Sequence, residues 1–357
     1  MAEKHAQRKT EHLQICLREE VRSAVRTGLE RYRLEHQALP EMALADIDTG
    51  AEFLGRRLRA PLLVSSMTGG TPEAHAINLR LATAAQTLGL AMGLGSQRAG
   101  IENPALMDTF RVRSVAPDIA LCANLGAVQL VAKGQLAYGV DECRRAVESV
   151  GADALILHLN PLQEALQAGG NTDFSGVLAA ITRLCGALNV PVIVKEVGWG
   201  LSAAVAHQLV QAGVAALDVA GAGGTSWSEV ERRRAVAGTD ADDLAAPFVS
   251  WGIPTAEALC AVRAACPTLP LVASGGIRNG VEVALSVGLG ADLVGMAGAL
   301  LQPAVEGAES LTRSLQVVVE QLRIAMFCSG ARTLSDLRGR VRARYSHQEA
   351  LRAEGDL

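Results

Sequence analysis

The amino-acid sequence predicts an α/β protein with a (β/α)8 barrel, the TIM-barrel fold, an N-terminal helical extension and C-terminal helices. Eight short apolar runs alternate with helix-like segments at intervals of roughly 25–40 residues. The runs are continuous rather than alternating, which is typical of parallel strands buried on both faces. An open doubly wound sheet is the alternative, but five or six strands are more usual there. Eight βα units are what a closed barrel requires.

The predicted elements follow in order along the chain. The strands are residues 61–66, 90–96, 119–124, 154–158, 191–196, 215–220, 269–274 and 292–296. The helices between them are residues 73–88, 140–150, 174–188, 202–212, 255–265 and 281–288.

Three segments lie outside this repeat in what we take to be a single domain, residues 1–357. Residues 1–60 are charged and helix-prone and form the extension, and residues 299–345 carry the C-terminal helices. Residues 225–253 form a long polar connection, which predicts a mobile lid over a binding site. No sequence repeat beyond the βα period is evident.

Composition excludes several functional classes. The formal charge of −4 gives no reason to expect a nucleic-acid partner. The seven cysteines include no C-x-x-C pair, which indicates a reducing, cytoplasmic location and no thiolate metal cluster. The N-terminus lacks the apolar segment of a signal peptide. The most apolar stretch, residues 285–305, is interrupted by Asp292 and Pro303, so no membrane span is expected.

Two glycine-rich turns near the C-terminal end suggest a phosphate site. Residues 271–280 and 290–298 each read as a buried strand, a glycine turn and the start of a helix. In a (β/α)8 barrel, the turns after the last two strands bind phosphate through backbone N–H groups and a helix N-terminus. Ordinary strand-to-helix turns would also use glycine, so the pattern alone leaves both interpretations open.

The C-terminal ends of the other predicted strands carry polar residues, where barrel enzymes place their reactive groups. Lys195 ends an apolar strand and must face a polar site, because a buried unpaired ammonium is costly. It could form a Schiff base, hold a phosphate or stabilise a negatively charged cofactor; the alternative is a lysine that reaches water. His158 alone would more often be structural, but Asn160, Gln163 and Glu164 follow it closely.

Two further segments have a functional and an ordinary interpretation. Residues 223–226, Gly-Gly-Thr-Ser, could form a backbone nest for an anion or simply a turn into a helix. The cluster Arg8-Lys-Thr-Glu-His12 could bind phosphate through its arginine fork and lysine, although basic runs near a terminus are usually solvated surface.

Together these residues carry a family resemblance. From Arg8 to about Asp336 the chain resembles the type 2 isopentenyl-diphosphate delta-isomerases, which are FMN-dependent (β/α)8 barrels. The motifs that carry it are Arg8-Lys-Thr-Glu-His12, Ser66-Met-Thr-Gly-Gly70, Gly95-Ser-Gln-Arg98, Asn124-Leu-Gly126, His158-Leu-Asn-Pro-Leu-Gln-Glu164, Lys195-Glu-Val-Gly198, Gly223-Gly-Thr-Ser-Trp227, Trp251-Gly-Ile-Pro-Thr255 and Ser274-Gly-Gly-Ile-Arg278.

The resemblance implies a role for each matched residue. The residues implied to contact FMN are Ser66, Met67, Thr68, Ser96, Asn124, Lys195, Thr225, Gly275, Gly276, Arg278, Ala297 and Gly298. The residues implied to bind the substrate, mainly through its diphosphate, are Arg8, Lys9, Arg98, His158, Asn160 and Gln163. Gln163, His158 and Lys195 are the implied catalytic residues, and Glu164 the ligand of a diphosphate-bound Mg²⁺.

The implied activity is the conversion of isopentenyl diphosphate to dimethylallyl diphosphate in isoprenoid biosynthesis. It is a 1,3-allylic proton shift in which FMN, reduced by NADPH, acts as an acid and base. The family also implies a cytoplasmic homo-oligomer, a tetramer or octamer.

An FMN-dependent 2-hydroxy-acid oxidase is the nearest alternative. Such oxidases carry a His and an Arg after strand six, and residues 221–227 contain neither. A purine-nucleotide dehydrogenase would need a loop cysteine, whereas Cys122 and Cys260 lie in predicted strand and helix. A non-catalytic flavin- or phosphate-binding protein is the alternative outside enzymes. The polar residues at the C-terminal ends of the predicted strands argue against it.

Overall fold

Eight parallel strands close into a barrel, which confirms the predicted fold class. The computed structural model describes residues 2–132, 137–236 and 238–344, with side chains from residue 8 onward. The described strands are β1 Tyr32–Leu34, β2 Ala51–Phe53, β3 Arg56–Leu58, β4 Leu62–Val64, β5 Ala91–Gly93, β6 Leu121–Gly126, β7 Ala154–His158, β8 Val192–Lys195, β9 Ala216–Asp218, β10 Leu271–Ala273, β11 Leu293–Met296 and β12 Val341–Ala343. Strands β4 to β11 form the barrel in chain order, and β11 pairs with β4 to close it.

Helices surround this barrel. The described helices are α1 Ala2–Arg18, α2 Pro72–Leu88, α3 Arg98–Glu102, α4 Val140–Glu148, α5 Pro161–Leu166, α6 Val177–Ala187, α7 Ala203–Gln211, α8 Trp227–Arg234, α9 Asp240–Ala245, α10 Thr255–Ala265, α11 Gly280–Gly288, α12 Gly298–Glu306, α13 Ala308–Cys328 and α14 Leu334–Leu337. The six predicted helices are confirmed to within about three residues, the usual uncertainty of helix ends. The predicted C-terminal helices are α12, α13 and α14, but they end at Leu337, and the strand β12 follows them.

The N-terminal extension is helical only in its first part. After α1 the chain runs through short 3₁₀ turns and the strands β1, β2 and β3, so the prediction of helix up to residue 60 is wrong. Charged residues of high helix propensity led to that prediction. Gly28 and Gly55 instead adopt left-handed conformations that end regular structure, and β1 pairs with the distant β12.

The connection predicted as a lid is more ordered than a loop. Residues 225–253 contain α8, α9 and a 3₁₀ helix, Ala246–Ser250. Ser226 caps α8 by accepting a hydrogen bond from the Glu229 N–H. Whether this segment moves stays a prediction.

The interior of the barrel is apolar and is closed at its N-terminal end by the β2–β3 hairpin. Ile156, Ile193 and Val272 belong to one buried cluster with Phe53 and Leu58 of the hairpin. A larger cluster lies between the strands and the surrounding helices. Because the N-terminal end is filled, a ligand has access only from the opposite end, where the strands terminate.

Two matched arginine–aspartate clamps hold the N-terminal ends of two strand pairs. Arg113 bonds the carbonyls of residues 116, 117, 119 and 151 and pairs with Asp153, whose carboxylate accepts from the Leu121 N–H. Arg263 bonds the carbonyls of residues 266, 267, 269 and 290 and pairs with Asp292, which accepts from the Leu271 N–H.

The correspondence extends to a second arginine at each clamp. Arg56 of the hairpin pairs with Asp153, and Arg338, directly after α14, pairs with Asp292. The clamps join β6–β7 and β10–β11, four strands apart around the barrel. The sequence therefore contains a half-barrel repeat, Val-Arg-x-x-x-Pro at residues 112 and 262 and Gly-Ala-Asp at 151 and 290, contrary to the expectation that none existed.

We expect Arg263→Ala to destabilise the protein, because it leaves carbonyls and a carboxylate without their partly buried donor. Loss of such a network costs about 2–4 kcal/mol, enough to lower the melting temperature by several degrees. Arg313→Ala is the matched control, since Arg313 makes only an exposed pair with Glu309 that contributes at most about 1 kcal/mol. Equal melting temperatures for the two variants would show that the clamp contributes nothing beyond a surface ion pair.

Candidate active site

One cavity of about 570 Å³ opens at the C-terminal ends of the barrel strands. Every residue that the sequence predicted for the site lines it: Arg8, Lys9, Ser66, Met67, Thr68, Ser96, Arg98, Asn124, His158, Asn160, Gln163, Glu164, Lys195, Thr225, Gly275, Gly276, Arg278, Ala297 and Gly298. They come from the N-terminal helix, from the ends of several strands and from both glycine turns. The structure thus brings the predicted set together, while the role of each residue stays a prediction.

The floor of the cavity contains a row of polar residues on neighbouring strands. In the β7–β8 pairing His158 lies opposite Lys195, and in the β8–β9 pairing Lys195 lies opposite Asp218. The Lys195 Nζ lies 3.3 Å from the Asp218 Oδ2, and both residues are buried. The parallel register therefore places this lysine beside a carboxylate, so its ammonium is paired within the protein.

His158 is an uncharged hydrogen-bonding group. Burial, together with the nearby Lys195 and Lys9 cations, lowers the pKa of its imidazole to about 4. Its Nδ1 lies 2.7 Å from the Asn124 Oδ1, which only accepts, so Nδ1–H is the donor. An anionic ligand beside the ring would favour the protonated form, in which Nε2 also donates.

The N-terminal helix α1 brings cations to the cavity. The Lys9 Nζ donates to the Ser96 carbonyl at 2.9 Å and lies 5.2 Å from the centre of the Phe110 ring. Burial and the neighbouring Arg8 and Arg98 lower the pKa of Lys9 to about 7. Desolvation likewise lowers the pKa of Arg8, partly offset by Glu164 and Glu231. Such a crowded, partly dehydrated group of cations favours a multiply charged anion.

Helix α8 fixes α1 in place. The His12 Nε2 lies 2.9 Å from the Glu231 Oε1. Arg234 of α8 pairs with Glu231 at 2.6 Å and reaches across to Glu11 at 3.0 Å. Ile15, Val21 and Val230 add a small apolar cluster between these segments. The predicted lid segment thus holds the arm that carries Arg8 and Lys9.

The short helix α5 presents an amide and carboxylate cluster. The Asn160 Nδ2 donates to Gln163 at 3.1 Å and to the Glu164 Oε1 at 3.2 Å. The Glu164 Oε2 accepts from the Gln167 side chain at 2.8 Å and from the Asn171 N–H at 2.7 Å. A carboxylate offers about four acceptor positions, so Glu164 is held rigidly and can still bind one more group.

The first glycine turn requires glycine because of its backbone conformation and because it packs closely against the loop after β9. Gly275 and Gly276 have φ angles of 106° and 81°, which favour glycine. A Cβ on Gly275 would lie 2.1 Å from the Gly221 carbonyl oxygen, and one on Gly276 would lie 2.5 Å from that of Gly223. The next turn leads into α12 at Gly298, whose helix N-terminus faces the cavity.

Three buried polar atoms of cavity-lining residues have no hydrogen-bond partner among the described residues. They are the Ser65 Oγ, the Ser66 Oγ and the Asn160 Oδ1. Unsatisfied buried polar atoms are uncommon in native proteins and are costly without a partner. Their concentration at one cavity indicates a polar ligand there. Among the described residues, no group of three or more His, Cys, Asp or Glu side chains could hold a metal ion.

The sequence analysis assigned no role to three buried carboxylates that contact residues of the cavity wall: Glu196, Asp218 and Glu231. Asp218 is a charged residue within an apolar strand segment, as Lys195 is, so the argument applied to the lysine would also have found it. Glu231 was hidden in the charged run of α8, where only its contact with His12 distinguishes it.

Glu196 organises the backbone that follows β8. Its Oε2 accepts three consecutive N–H groups, from Val197 at 2.6 Å, Gly198 at 2.7 Å and Trp199 at 2.6 Å. Val197 and Gly198 line the cavity. Burial raises the pKa of Glu196 to about 7, although the three donors and Lys195 oppose the shift. This carboxylate therefore shapes the cavity wall through the backbone.

Comparisons with known proteins give consistent results. A family model described as FMN-dependent dehydrogenase matches residues 160–343. The chain is 56% identical to isopentenyl-diphosphate delta-isomerase of Stutzerimonas stutzeri, over 93% of this chain and 95% of that protein. It is 55% identical to the enzyme of the same name from Cronobacter sakazakii, over 96% and 98%, and 57% identical to that of a Synechococcus species, over 93% and 94%.

Among solved structures, the chain is similar to a mandelate oxidase variant with a monooxide FMN adduct. The TM-score is 0.61 at 18% identity, and the match covers 90% of each chain. A mandelate oxidase with benzoyl-formic acid gives a TM-score of 0.60 at 18% identity, over 89% of this chain and 87% of the other. At this identity the likeness concerns the fold alone. The part of the chain that the structure describes includes no helix both long and apolar enough to cross a bilayer.

The buried Glu196 predicts a pH dependence of stability. Its pKa is about 7 in the folded protein and 4.5 as an ordinary glutamate, so between these values the native state binds a proton that the unfolded chain has released. This contribution to stability is therefore lost as the pH rises from about 4.5 to about 7. Glu196→Gln keeps an acceptor oxygen but does not titrate. The melting temperature of this variant minus that of wild type should therefore increase as the pH rises from 5 to 8. A constant difference across that range would contradict the raised pKa.

Proposed function

The chain belongs to the isopentenyl-diphosphate delta-isomerase family, and we propose that it converts isopentenyl diphosphate to dimethylallyl diphosphate with bound FMN. The isomerisation adds a proton at one carbon and removes one from another, so the substrate undergoes no net oxidation. The observation that carries this proposal is the composition of the cavity. Cations from α1 and α3 and a glycine-lined turn with a helix N-terminus all face the same space.

The residues present fit a flavin nucleotide. The turn at Gly275 and Gly276 admits no side chain, and with the N-terminus of α12 it would hold the FMN phosphate. The unpartnered hydroxyls of Ser65 and Ser66 lie among the residues that would surround the ring and ribityl chain. Lys195, buried at the end of β8, would place its positive charge beside the ring.

The other residues of the cavity would bind and orient the substrate. Arg8, Lys9 and Arg98 would neutralise the diphosphate, which offsets the cost of crowding these cations together. When bound, reduced FMN supplies a proton donor and acceptor at N5 of its ring. Gln163, fixed by its hydrogen bond from Asn160, is the candidate to relay a proton, and His158 would donate to the substrate. Positioning of this kind replaces the solvent reorganisation that a reaction in water requires.

The family supports four finer proposals. NADPH would reduce the flavin, and Mg²⁺ would enter with the diphosphate and be held by Glu164. The protein would be a cytoplasmic homo-oligomer, a tetramer or octamer. For Mg²⁺ the fit rests on the remaining acceptor position of Glu164, since this ion often takes only one or two protein carboxylates when phosphate oxygens complete its shell.

A 2-hydroxy-acid oxidase is the second candidate because the solved mandelate oxidases share the fold. The turn after β9, residues 221–227, carries neither the histidine nor the arginine that such chemistry needs. The chain is 18% identical in sequence to the mandelate oxidase and 55–57% identical to the isomerases. The isomerase is therefore the better-supported function.

The proposal is tested by assaying the protein with dithionite-reduced FMN, Mg²⁺ and isopentenyl diphosphate. We expect dimethylallyl diphosphate to form only with reduced flavin.

Arg8→Ala tests the role of the N-terminal helix in the same assay. This variant should raise KM by about 10- to 150-fold, the value of a lost charge-assisted hydrogen bond. Arg18→Ala, an exposed arginine at the end of the same helix, is the matched control and should leave KM unchanged. Oxidation of a 2-hydroxy acid without isomerisation would reverse the conclusion.

Glu164→Gln tests the metal proposal separately. The amide keeps the size and an acceptor oxygen of the side chain but removes the charge that would bind Mg²⁺. We expect half-maximal activity to require at least about 10-fold more Mg²⁺, with FMN affinity nearly unchanged. A glutamate that only favours the N-terminus of α5 would contribute about 0.3–1 kcal/mol to stability. In that case the two Mg²⁺ titrations would superimpose.

A further inference from the structure

Asp218 is a buried carboxylate in direct contact with the cavity wall. It ends β9 and is 1% exposed, and it is not itself among the residues that line the cavity. Burial of a carboxylate is unfavourable unless it is paired and hydrogen-bonded. The groups that contact the Asp218 carboxylate therefore indicate what this buried residue does.

Three neighbours of Asp218 do line the cavity: Lys195, Ala220 and Ser274. The Ser274 Oγ donates to the Asp218 Oδ1 at 2.6 Å, and the Ala220 N–H donates to the same oxygen at 3.2 Å. The other oxygen accepts no hydrogen bond within the described residues, and it forms an ion pair with the Lys195 Nζ at 3.3 Å. One carboxylate thus links the ends of β8, β9 and β10.

The backbone next to Asp218 is strained. Ala220 has a φ of 36°, in the left-handed region that residues other than glycine, asparagine and aspartate seldom adopt. Such a conformation is strained and persists where surrounding contacts enforce it. The hydrogen bond from the Ala220 N–H to Asp218 is one of those contacts, and the Gly200 N–H bonded to the Ala220 carbonyl at 3.1 Å is another.

The charge of Asp218 is needed by Lys195. The lysine is 8% exposed, and Asp218 is the one acidic side chain within ion-pair distance of its Nζ among the described residues. The strand register places both side chains at the same level of the barrel. Without the carboxylate, the ammonium would have no fixed partner to set its direction.

We propose that Asp218 is a positioning residue for the cofactor site, which acts by holding the Lys195 ammonium in the direction of the flavin ring. The proposal rests on the proposed function, because it takes the ligand beside Lys195 to be FMN. It assigns to Asp218 no contact with the substrate or with the reacting atoms. Its effect on FMN should therefore depend entirely on the presence of Lys195.

A double-mutant cycle on FMN affinity tests this dependence. The dissociation constant of FMN is measured by flavin fluorescence for wild type, Asp218→Asn, Lys195→Met and the double variant. We expect Asp218→Asn to raise the constant at least about 10-fold in the wild-type background. In the Lys195→Met background the same substitution should change it by no more than about 2-fold.

Asp292→Asn is the matched control, since it changes a partly buried, arginine-paired aspartate at the opposite end of the barrel. It should lower the melting temperature and leave the FMN dissociation constant unchanged. If Asp218→Asn does not fold, Asp218→Glu keeps the charge but displaces it by one methylene. This variant should weaken FMN binding in the same Lys195-dependent way.

The outcomes separate the proposal from the function on which it rests. An equal loss of FMN affinity with and without Lys195→Met would overturn the positioning role and make Asp218 a structural residue. Wild-type affinity in Asp218→Asn would overturn it as well, and in both cases FMN binding itself would stand. Failure of the wild-type protein to bind FMN would overturn the proposed function and this inference together.

Discussion

Closure of the barrel in a parallel register fixes where every residue of the cavity lies. The pairing of β11 with β4 leaves no strand edge open and directs the C-terminal ends of all eight strands to one rim. Residues far apart in sequence then become neighbours at fixed heights. The ring nitrogen of His158, the ammonium of Lys195 and the carboxylate of Asp218 share one level because their strands are in register.

The two ends of the barrel carry different tasks. At the N-terminal end, the hairpin β2–β3 fills the interior and the two arginine–aspartate clamps tie strand starts to their preceding turns. At the C-terminal end, the strand termini and the loops after them line the cavity. This division is general in barrel enzymes, where stability and chemistry lie at opposite ends. Here the clamps recur four strands apart, so the stabilising end shows a pseudo-twofold repeat.

The cavity gathers positive charge at an energetic cost that a bound anion would offset. Lys9, Arg8 and His158 all have lowered pKa values, and in each case loss of water is the main cause. Lowered pKa values of basic groups mean that their surroundings disfavour the positively charged forms. A diphosphate and a flavin phosphate would supply the missing counter-charge. The buried Asp218 pairs with Lys195. The buried Glu231 holds α1, which carries Arg8 and Lys9, through His12, and its charge offsets part of the desolvation of Arg8.

The fold class, the eight strands and the residues that line the cavity could all be predicted from the sequence. Continuous apolar runs, glycine at turns and polar residues at strand ends are local signals, and each reports one strand and its own loop. The tertiary structure alone decided the path of residues 19–60, the contact of α8 with α1, and the roles of Asp218, Glu196 and Glu231. Those features depend on pairing between distant segments or on the exclusion of water around one carboxylate. The local sequence pattern contains neither kind of information. A glutamate buried against another helix and a glutamate exposed to solvent can have the same neighbours in sequence.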